Sequence, residues 1–400
     1  MESHVIATHD DCILFDVIVH ERHGNFGCGN VHEVDYFLYE AEASRPPSLS
    51  LLPACYFPNL YDDRRDLPAK ARGMDKDSTG LLRRGEDGLL VAELELPYNG
   101  PRDTAELCIL QPGCCEWELR VVPIIFPNTG EPNKLMEGWR TDVVVPVSDR
   151  FLCWVDYLRG FLLGDMAEAS PKLRYVALPI EPPEDSFDFD GRRNMKPSRK
   201  FGAVGAAAVK FVTVESRCCC GGPGSTTCVP GRFAFTVTTW TLNLMTMDEP
   251  TATWVKDGVL DCEDLWALPG YEDLPRVTVQ YPIVSVDDPD VVCFTVCNDY
   301  RSYLDTEKRK VWLIEVDMRR KVLCSVVHFT SKDGLEGNQN RHGKRCLCPW
   351  LHPQLHPYLR HPLPRLSAGA TPRPVPEPPA GVPPSPMPPR PAMASPLQAA

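Results

Sequence analysis

The sequence predicts an all-β protein, built of repeated antiparallel sheets in a β-propeller-like arrangement, with few short helices and a disordered Pro-rich C-terminal tail. Three observations predict it. Short runs rich in β-branched and aromatic residues recur along the body, several with period-two alternation, each bounded by Gly, Pro, Asn or Asp. A strand-turn-strand-strand order returns at separated places in the chain. Near Glu336 the composition shifts, and from there to Ala400 the chain carries 17 of its 41 prolines.

Taken in order, residues 1–34 read as an N-terminal strand-like segment and 35–335 as the all-β body. Within the body, "GLLVAELELP" (88–97), "CEWELRVVPIIF" (115–126) and "AVKFVTVES" (208–216) read as strands. So do "RFAFTVTTWTLNL" (232–244), "DVVCFTVCN" (290–298) and "KVWLIEVDM" (310–318). In the last, Val311, Leu313 and Glu315 face one way, and Trp312, Ile314, Val316 and Met318 the other. "SDRFLCWVDYLRGFLLGDM" (148–166) reads as a hairpin, with Ser148–Asp156 and Phe161–Met166 as strands and a turn ending at Gly160. Two stretches, 62–80 and 181–200, are charged and rich in breakers, and read as loops. "GVLDCEDLWALPG" (258–270) holds one or two helical turns, capped by Asp261 and stopped by Pro269. The tail cannot bury enough apolar surface to offset its ordering entropy, so polyproline II character without a fold is expected.

The internal echo carries the architecture. "DRFLCWVDYLRGFLLGDM…PKLRYVALP" is a strand, a turn, a strand ending in Asp165, then a third strand. "DVVCFTVCN…KVWLIEVDMRRKVLCSVVHF" repeats that order with Asp317 in the place of Asp165, and "AVKFVTVES…RFAFTVTTWTLNL…ATWVKDGVL" is a looser copy. Repeats of this kind build propellers, although their irregular spacing leaves a β-sandwich open.

Charge and cysteine usage bound the function. A formal net charge of -12 argues against affinity for nucleic-acid phosphates or anionic membranes. Seventeen cysteines, an odd number with a doublet and a triplet, do not form a spaced disulfide framework. The N-terminal run lacks a basic region and is broken by Asp16, so no secretory signal is expected. The expectation is an intracellular protein, cytoplasmic or nuclear, with mostly reduced thiols.

Four stretches carry candidate chemistry. Cys218, Cys220 and Cys228 lie in "SRCCCGGPGSTTC", whose adjacent thiols point to opposite sides of extended backbone and fail the paired spacing that zinc prefers. A thiol-redox role there would draw on Arg217 to lower a thiol pKa. Cys346, Cys348, His352 and His356 in "CLCPWLHPQLH" suit zinc by type, but Pro349, Pro353 and Pro357 break the helix that would align them. Asp149, Asp156 and Asp165 would need to converge within about 5–10 Å for paired-carboxylate catalysis. At strand ends Asp more simply accepts backbone hydrogen bonds, which also accounts for Asp317. "RPVPEPP" (373–379) fits a polyproline-groove ligand. No nucleophile elbow or phosphate loop is present: "GNQNRHGKR" (337–345) has the wrong Gly spacing, and "GAVGAAAV" (202–209) reads as a small-residue strand entry. No catalytic residue and no cofactor are expected.

Several long blocks carry a family resemblance. "DYFLYEAEASRPPSLSLLP", "LLRRGEDGLLVAEL", "DRFLCWVDYLRGFLLGDM…PKLRYVALP", "VKFVTVESRCCCGG", "FTVTTWTL…WVKDGVLDCEDLWALPGY" and "YPIVSVDDPDVVCFTV…KVWLIEVDMRRK" occur in that order. From about Asp35 to Thr330 the chain resembles the plant "domain of unknown function 1618" family, expanded in grasses. The resemblance implies an all-β domain akin to F-box-associated propeller-like domains, and it brings no activity, substrate or catalytic residue. The last 65 residues depart from the family pattern, and no F-box helix bundle precedes Asp35. Three functional expectations follow: a non-enzymatic scaffold whose partner is another protein; a thiol- or metal-dependent enzyme using the 218–228 cysteines; or an F-box-like adaptor without its F-box, or else a truncated family member.

Overall fold

The computed structural model describes residues 2–20, 32–41, 46–55, 73–85, 88–96, 101–111, 113–114, 116–127, 132–181, 187–188, 191–217, 234–246, 253–298 and 310–329. All of them belong to one compact unit, Met1–Arg360.

The strands group into five successive four-stranded antiparallel blades. Blade 1 is β1 (Glu2–His9), β2 (Cys12–His20), β3 (His32–Glu40) and β4 (Ser48–Leu51). Blade 2 is β5 (Thr79–Arg84), β6 (Gly88–Glu95), β7 (Thr104–Leu110) and β8 (Glu118–Ile125). After a short helix α1 (Pro132–Met136) comes blade 3, with β9 (Val143–Val147), β10 (Phe151–Asp156), β11 (Gly160–Asp165) and β12 (Leu173–Ala177). A two-residue pair, β13 (Phe187–Asp188) and β14 (Gly191–Arg192), precedes blade 4: β15 (Arg199–Val204), β16 (Ala208–Ser216), β17 (Phe235–Asn243) and β18 (Val255–Asp261). Helix α2 (Cys262–Trp266) leads to blade 5, with β19 (Gln280–Val284), β20 (Val291–Cys297), β21 (Val311–Asp317) and β22 (Val322–Phe329).

Blades 2 and 3 join edge to edge through a short parallel pairing, Leu173 with Ile124 and Arg174 with Ile125. Their first strands, β5 and β9, also touch, so this eight-stranded sheet nearly closes on itself.

The apolar pattern explains why the blades stack face to face. In β10, Leu152 and Trp154 join blade 2 residues in one core, while Phe151, Cys153 and Val155 join blade 4 residues in another. In β16, Val209 and Phe211 face blade 3, and Val212 and Val214 face blade 5. A blade with neighbours on both sides therefore reads as a continuous apolar run rather than a clean alternation. In blade 5, Ile314, Val316 and Met318 enter the core shared with blade 4, with Trp312 packed against it; Leu313 lies on the opposite face with Ile283 and Cys293. That is the two-faced pattern expected of "KVWLIEVDM".

Successive first strands touch one another in the series β1, β5, β9, β15, β19. Their contacts fall at like positions along each strand. A Cβ on Gly80 would lie 2.7 Å from Val144, and one on Gly202 would lie 3.0 Å from Val284. Tyr281 N–H also donates to Pro197 O at 2.7 Å, so β15 and β19 run in the same sense. The ends of the series, β1 and β19, line the same cavity as β9 and β15, so the series curves round it.

The boundaries expected from sequence shift in three places. A division at residue 34 falls inside β3, and β1 and β2 share its sheet. Ser148–Arg150 is a turn and not strand, because β9 precedes it and Val147 pairs with Phe151 across it. The loop-like stretches end inside strands, since β5 begins at Thr79 and β15 at Arg199. The Pro-rich tail, 336–400, lies outside the described residues.

Candidate functional site

The aspartates singled out by sequence are all engaged in local structure. Asp156 is fully buried at the end of β10. Its carboxylate accepts the backbone N–H groups of Arg140 (3.0 Å), Leu158 (2.8 Å) and Arg159 (3.1 Å). Arg192 clamps it from β14 at 2.6 Å and 2.9 Å, and also holds Asp142 at 2.7 Å. Burial outweighs the Arg192 cation at Asp142 and raises its pKa above the ordinary carboxylate value.

Asp165 closes β11, accepts Ala167 N–H at 3.0 Å and pairs with Arg150. Asp317 does the same at the end of β21, accepting the N–H groups of Arg319 (3.0 Å) and Arg320 (2.7 Å). Asn243 plays this part at the end of β17, accepting Met245 N–H at 2.9 Å. The residue after each of these then donates back to the carbonyl of the residue just before the blade's second strand: Met166 to Arg150, Leu244 to Ala207 and Met318 to Asp290, each at 2.8 Å. The echo seen in the sequence is therefore an Asx turn repeated in blades 3, 4 and 5.

These acids do not converge. Asp165 pairs with Phe151 at one end of the β10–β11 hairpin, and Asp156 pairs with Gly160 at the other. Five residues of strand separate the two ends, about 17 Å, well beyond the spacing of a carboxylate pair. Asp149 is exposed in the turn before β10 and accepts from Ser148 Oγ at 2.9 Å.

Cys218, Cys220 and Cys228, and likewise Cys346, Cys348, His352 and His356, lie outside the described residues. Arg217 is described: its guanidinium pairs with Asp261 at 2.7 Å and reaches Cys262 Sγ at 3.7 Å. Asp261 also caps α2 by accepting Glu263 N–H at 3.0 Å, as its sequence position predicts. Among the described residues no cluster of three or more metal-ligating side chains occurs.

What the sequence did not reveal is the cavity of about 670 Å³ that the first strands enclose. At one mouth are the ends of these strands and their turns: His9, Asp10, Ser148, Asp149, Gly205 and Val286. Asp10, Ser148 and Gly205 all take left-handed φ angles, 50°, 56° and 57°, so like turns surround this mouth. His9 Nδ1 accepts the Arg83 N–H of β5 at 2.8 Å, which leaves the proton on Nε2. Burial lowers the His9 pKa and favours this neutral form.

The walls are Val143–Val145, Phe201, Ile283 and Val284, and Lys200 stands towards the far end. Lys200 is 8% exposed, and none of the described residues hydrogen-bonds or ion-pairs with its ammonium. Burial, with the Lys196 ammonium adding to it, pushes its pKa down to about 8. Lys196 has its own partner, Asp77, at 2.8 Å. Lys200 escaped sequence reading because its stretch is charged and breaker-rich. The available signal was the small, apolar "FGAV" directly after it, which continues a strand.

No curated protein matches the chain. Among solved structures, the WD40 domain of SCAP from fission yeast is similar at 11% identity and a TM-score of 0.34, over 82% of this chain and 66% of that one. The chain thus spans just under two thirds of the yeast domain. A glycosyl hydrolase from Bacteroides ovatus is similar at 10% identity and a TM-score of 0.30, over 82% and 84% of the two chains. Likeness at this level supports no argument about activity. Residues 154–293 match the model of a family described as "Protein of unknown function (DUF1618)". That span runs from Trp154 in β10 to Cys293 in β20, across blades 3, 4 and 5.

Proposed function

We propose that this protein is a non-enzymatic intracellular scaffold that presents the connections at one end of its blades to a protein partner. The observation that carries this reading is an asymmetry of the connections. At the cavity mouth described above, first and second strands are joined by turns as short as Asp10–Asp11, 148–150 and 205–207. At the opposite end, the described strands part at His20 and resume at His32, part at Leu51 and resume at Thr79, and part at Ser216 and resume at Phe235. The same end carries the intervals between Ala177 and Arg199, Asp261 and Gln280, and Cys297 and Val311. The mouth end carries one connection of comparable length, between Asn243 and Val255, and the far end one short turn, between Asp156 and Gly160. A rigid β scaffold that gathers most of its long connections at one end has the layout of a binding face.

The engagement of Asp156, Asp165 and Asp317 in turns and ion pairs supports a role without chemistry at those residues. A photo-crosslinking residue at the exposed Ala267, on the long-connection end, should capture one protein reproducibly in cells. The same residue at Arg319, in a turn at the other end, should not. Turnover of a metabolite by the purified protein, together with no end-selective crosslink, would overturn the reading.

A further inference from the structure

We propose that the cavity enclosed by the first strands is a binding site for a small organic monocarboxylate, held by its carboxylate on Lys200 with its apolar body along β9 and β19. The proposal goes beyond the scaffold reading and stands apart from it. A buried ammonium costs free energy unless an opposite charge or several hydrogen bonds meet it. Asp156 shows how this chain meets a buried charge, with three backbone donors and a guanidinium. Lys210 is met likewise, by Pro289 O at 2.6 Å and Asp257 at 3.2 Å. Lys200 is 8% exposed, against 2% for Lys210 and 0% for Asp156, and it receives nothing from the described residues and lines an open cavity. Among the described residues the charge that adds to the effect of burial on it is another ammonium, Lys196, which strengthens its preference for an anion.

The rest of the lining sets the class of anion. Val143, Val144, Ile283 and Val284 suit an aliphatic body. Among the described lining residues Lys200 is the one Lys or Arg, whereas a phosphate dianion is usually held by several donors or a guanidinium fork. Asp10 and Asp149 stand at the other mouth, five residues of β15 and its turn away, about 16 Å, where they repel a second negative charge. One positive group, apolar walls and an acidic far mouth together select a monocarboxylate over a polyanion.

Calorimetric titration of the full-length protein at pH 7 tests this with hexanoate, hexylammonium and inorganic phosphate. Hexanoate should bind one to one, with hexylammonium and phosphate at least ten-fold weaker. Lys200→Met should weaken hexanoate at least ten-fold while melting at or above the temperature of the unaltered protein. On the unaltered protein, hexanoate should also shield Lys200 from reductive methylation, read by peptide mass spectrometry. The proposal is overturned if millimolar hexanoate neither binds nor shields Lys200, if Lys200→Met binds it equally well, or if phosphate binds more tightly than hexanoate.

Discussion

Two buried charges, Asp156 and Lys200, are treated in opposite ways, and each makes a prediction. Asp156 holds the start of the β10–β11 turn and ties β14 to blade 3 through Arg192, which is itself largely buried. Asp156→Ala would leave the Arg140 and Leu158 N–H groups and part of a guanidinium unmet, while Arg159 N–H keeps the residue-156 carbonyl oxygen at 3.2 Å. Breaking one side of a buried, hydrogen-bonded ion pair costs about 3–5 kcal/mol, so urea unfolding should show a loss of that order. An Ala variant of unchanged stability would count against a structural role. Lys200 predicts the reverse. Its folded pKa, near 8, lies below its ordinary 10.5. The unfolded chain therefore binds more protons between those values, and stability should rise with pH across that window, then fall back as pH drops through it. Below pH 8 the full cost is present, at most about 3 kcal/mol from the size of the shift. Lys200→Met should thus gain stability at pH 7, and the difference between variant and parent should vanish towards pH 10.5. A difference independent of pH would show that Lys200 is not desolvated. These two residues also mark how far the site was legible in the sequence. Asp156 was readable because an Asp at a strand end has a local job. Lys200 was not, because its meaning comes from strands far away in the chain that enclose it.

At the scale of elements, second, third and fourth strands were legible and first strands largely were not. β16 and β21 alternate or run apolar over seven residues or more, and each pairs on both sides. The first strands are edge strands at the cavity, shorter and interrupted: β9 contains Pro146 and β19 contains Pro282. Proline reads as a breaker, yet on an edge its missing N–H removes no ladder bond that the sheet needs. Glycine marks where elements come closest. Gly160 opens β11, and a Cβ there would lie 2.4 Å from the Val176 carbonyl oxygen and 3.1 Å from the Tyr175 ring. Because the nearest atom is backbone, no side-chain rotation relieves the clash. Gly160→Ala should cost about 1–3 kcal/mol by overpacking. Gly85→Ala meets nothing within 4 Å, so its cost comes only from its φ of 59° and should be the smaller of the two. Denaturant midpoints of the two variants, measured side by side, decide this, and equal losses would contradict the packing argument.

At the scale of the whole molecule, the cores lie between blades rather than within them. One core joins blades 1 and 2, a second joins 2 and 3, a third 3 and 4, and a fourth 4 and 5. Such a chain resembles a short repeat array, in which each blade owes its stability to the interface with its neighbour. Blade 3 has both faces in shared cores, so a defect there weakens two interfaces at once. Trp154 is fully buried in the core with blade 2, and its indole N–H donates to Ser78 O, beside β5, at 2.9 Å. Phe161 and Phe201 pair across the blade 3–blade 4 core with ring centroids 4.9 Å apart. Trp154→Ala should therefore cost about 3–5 kcal/mol as a cavity-forming change. If the interfaces couple the blades strongly, the variant still unfolds in one step, and the far-ultraviolet and tryptophan-fluorescence transitions move together to lower urea. Should they separate, with part of the sheet signal persisting after the fluorescence change, the blades would be only weakly coupled. The double variant Phe161→Leu with Phe201→Leu measures that coupling directly. Its loss should fall short of the sum of the single losses by about 0.5–1.5 kcal/mol, the size of an aromatic pair interaction. Strict additivity would mean that the contact between blades 3 and 4 holds them side by side without making either depend on the other.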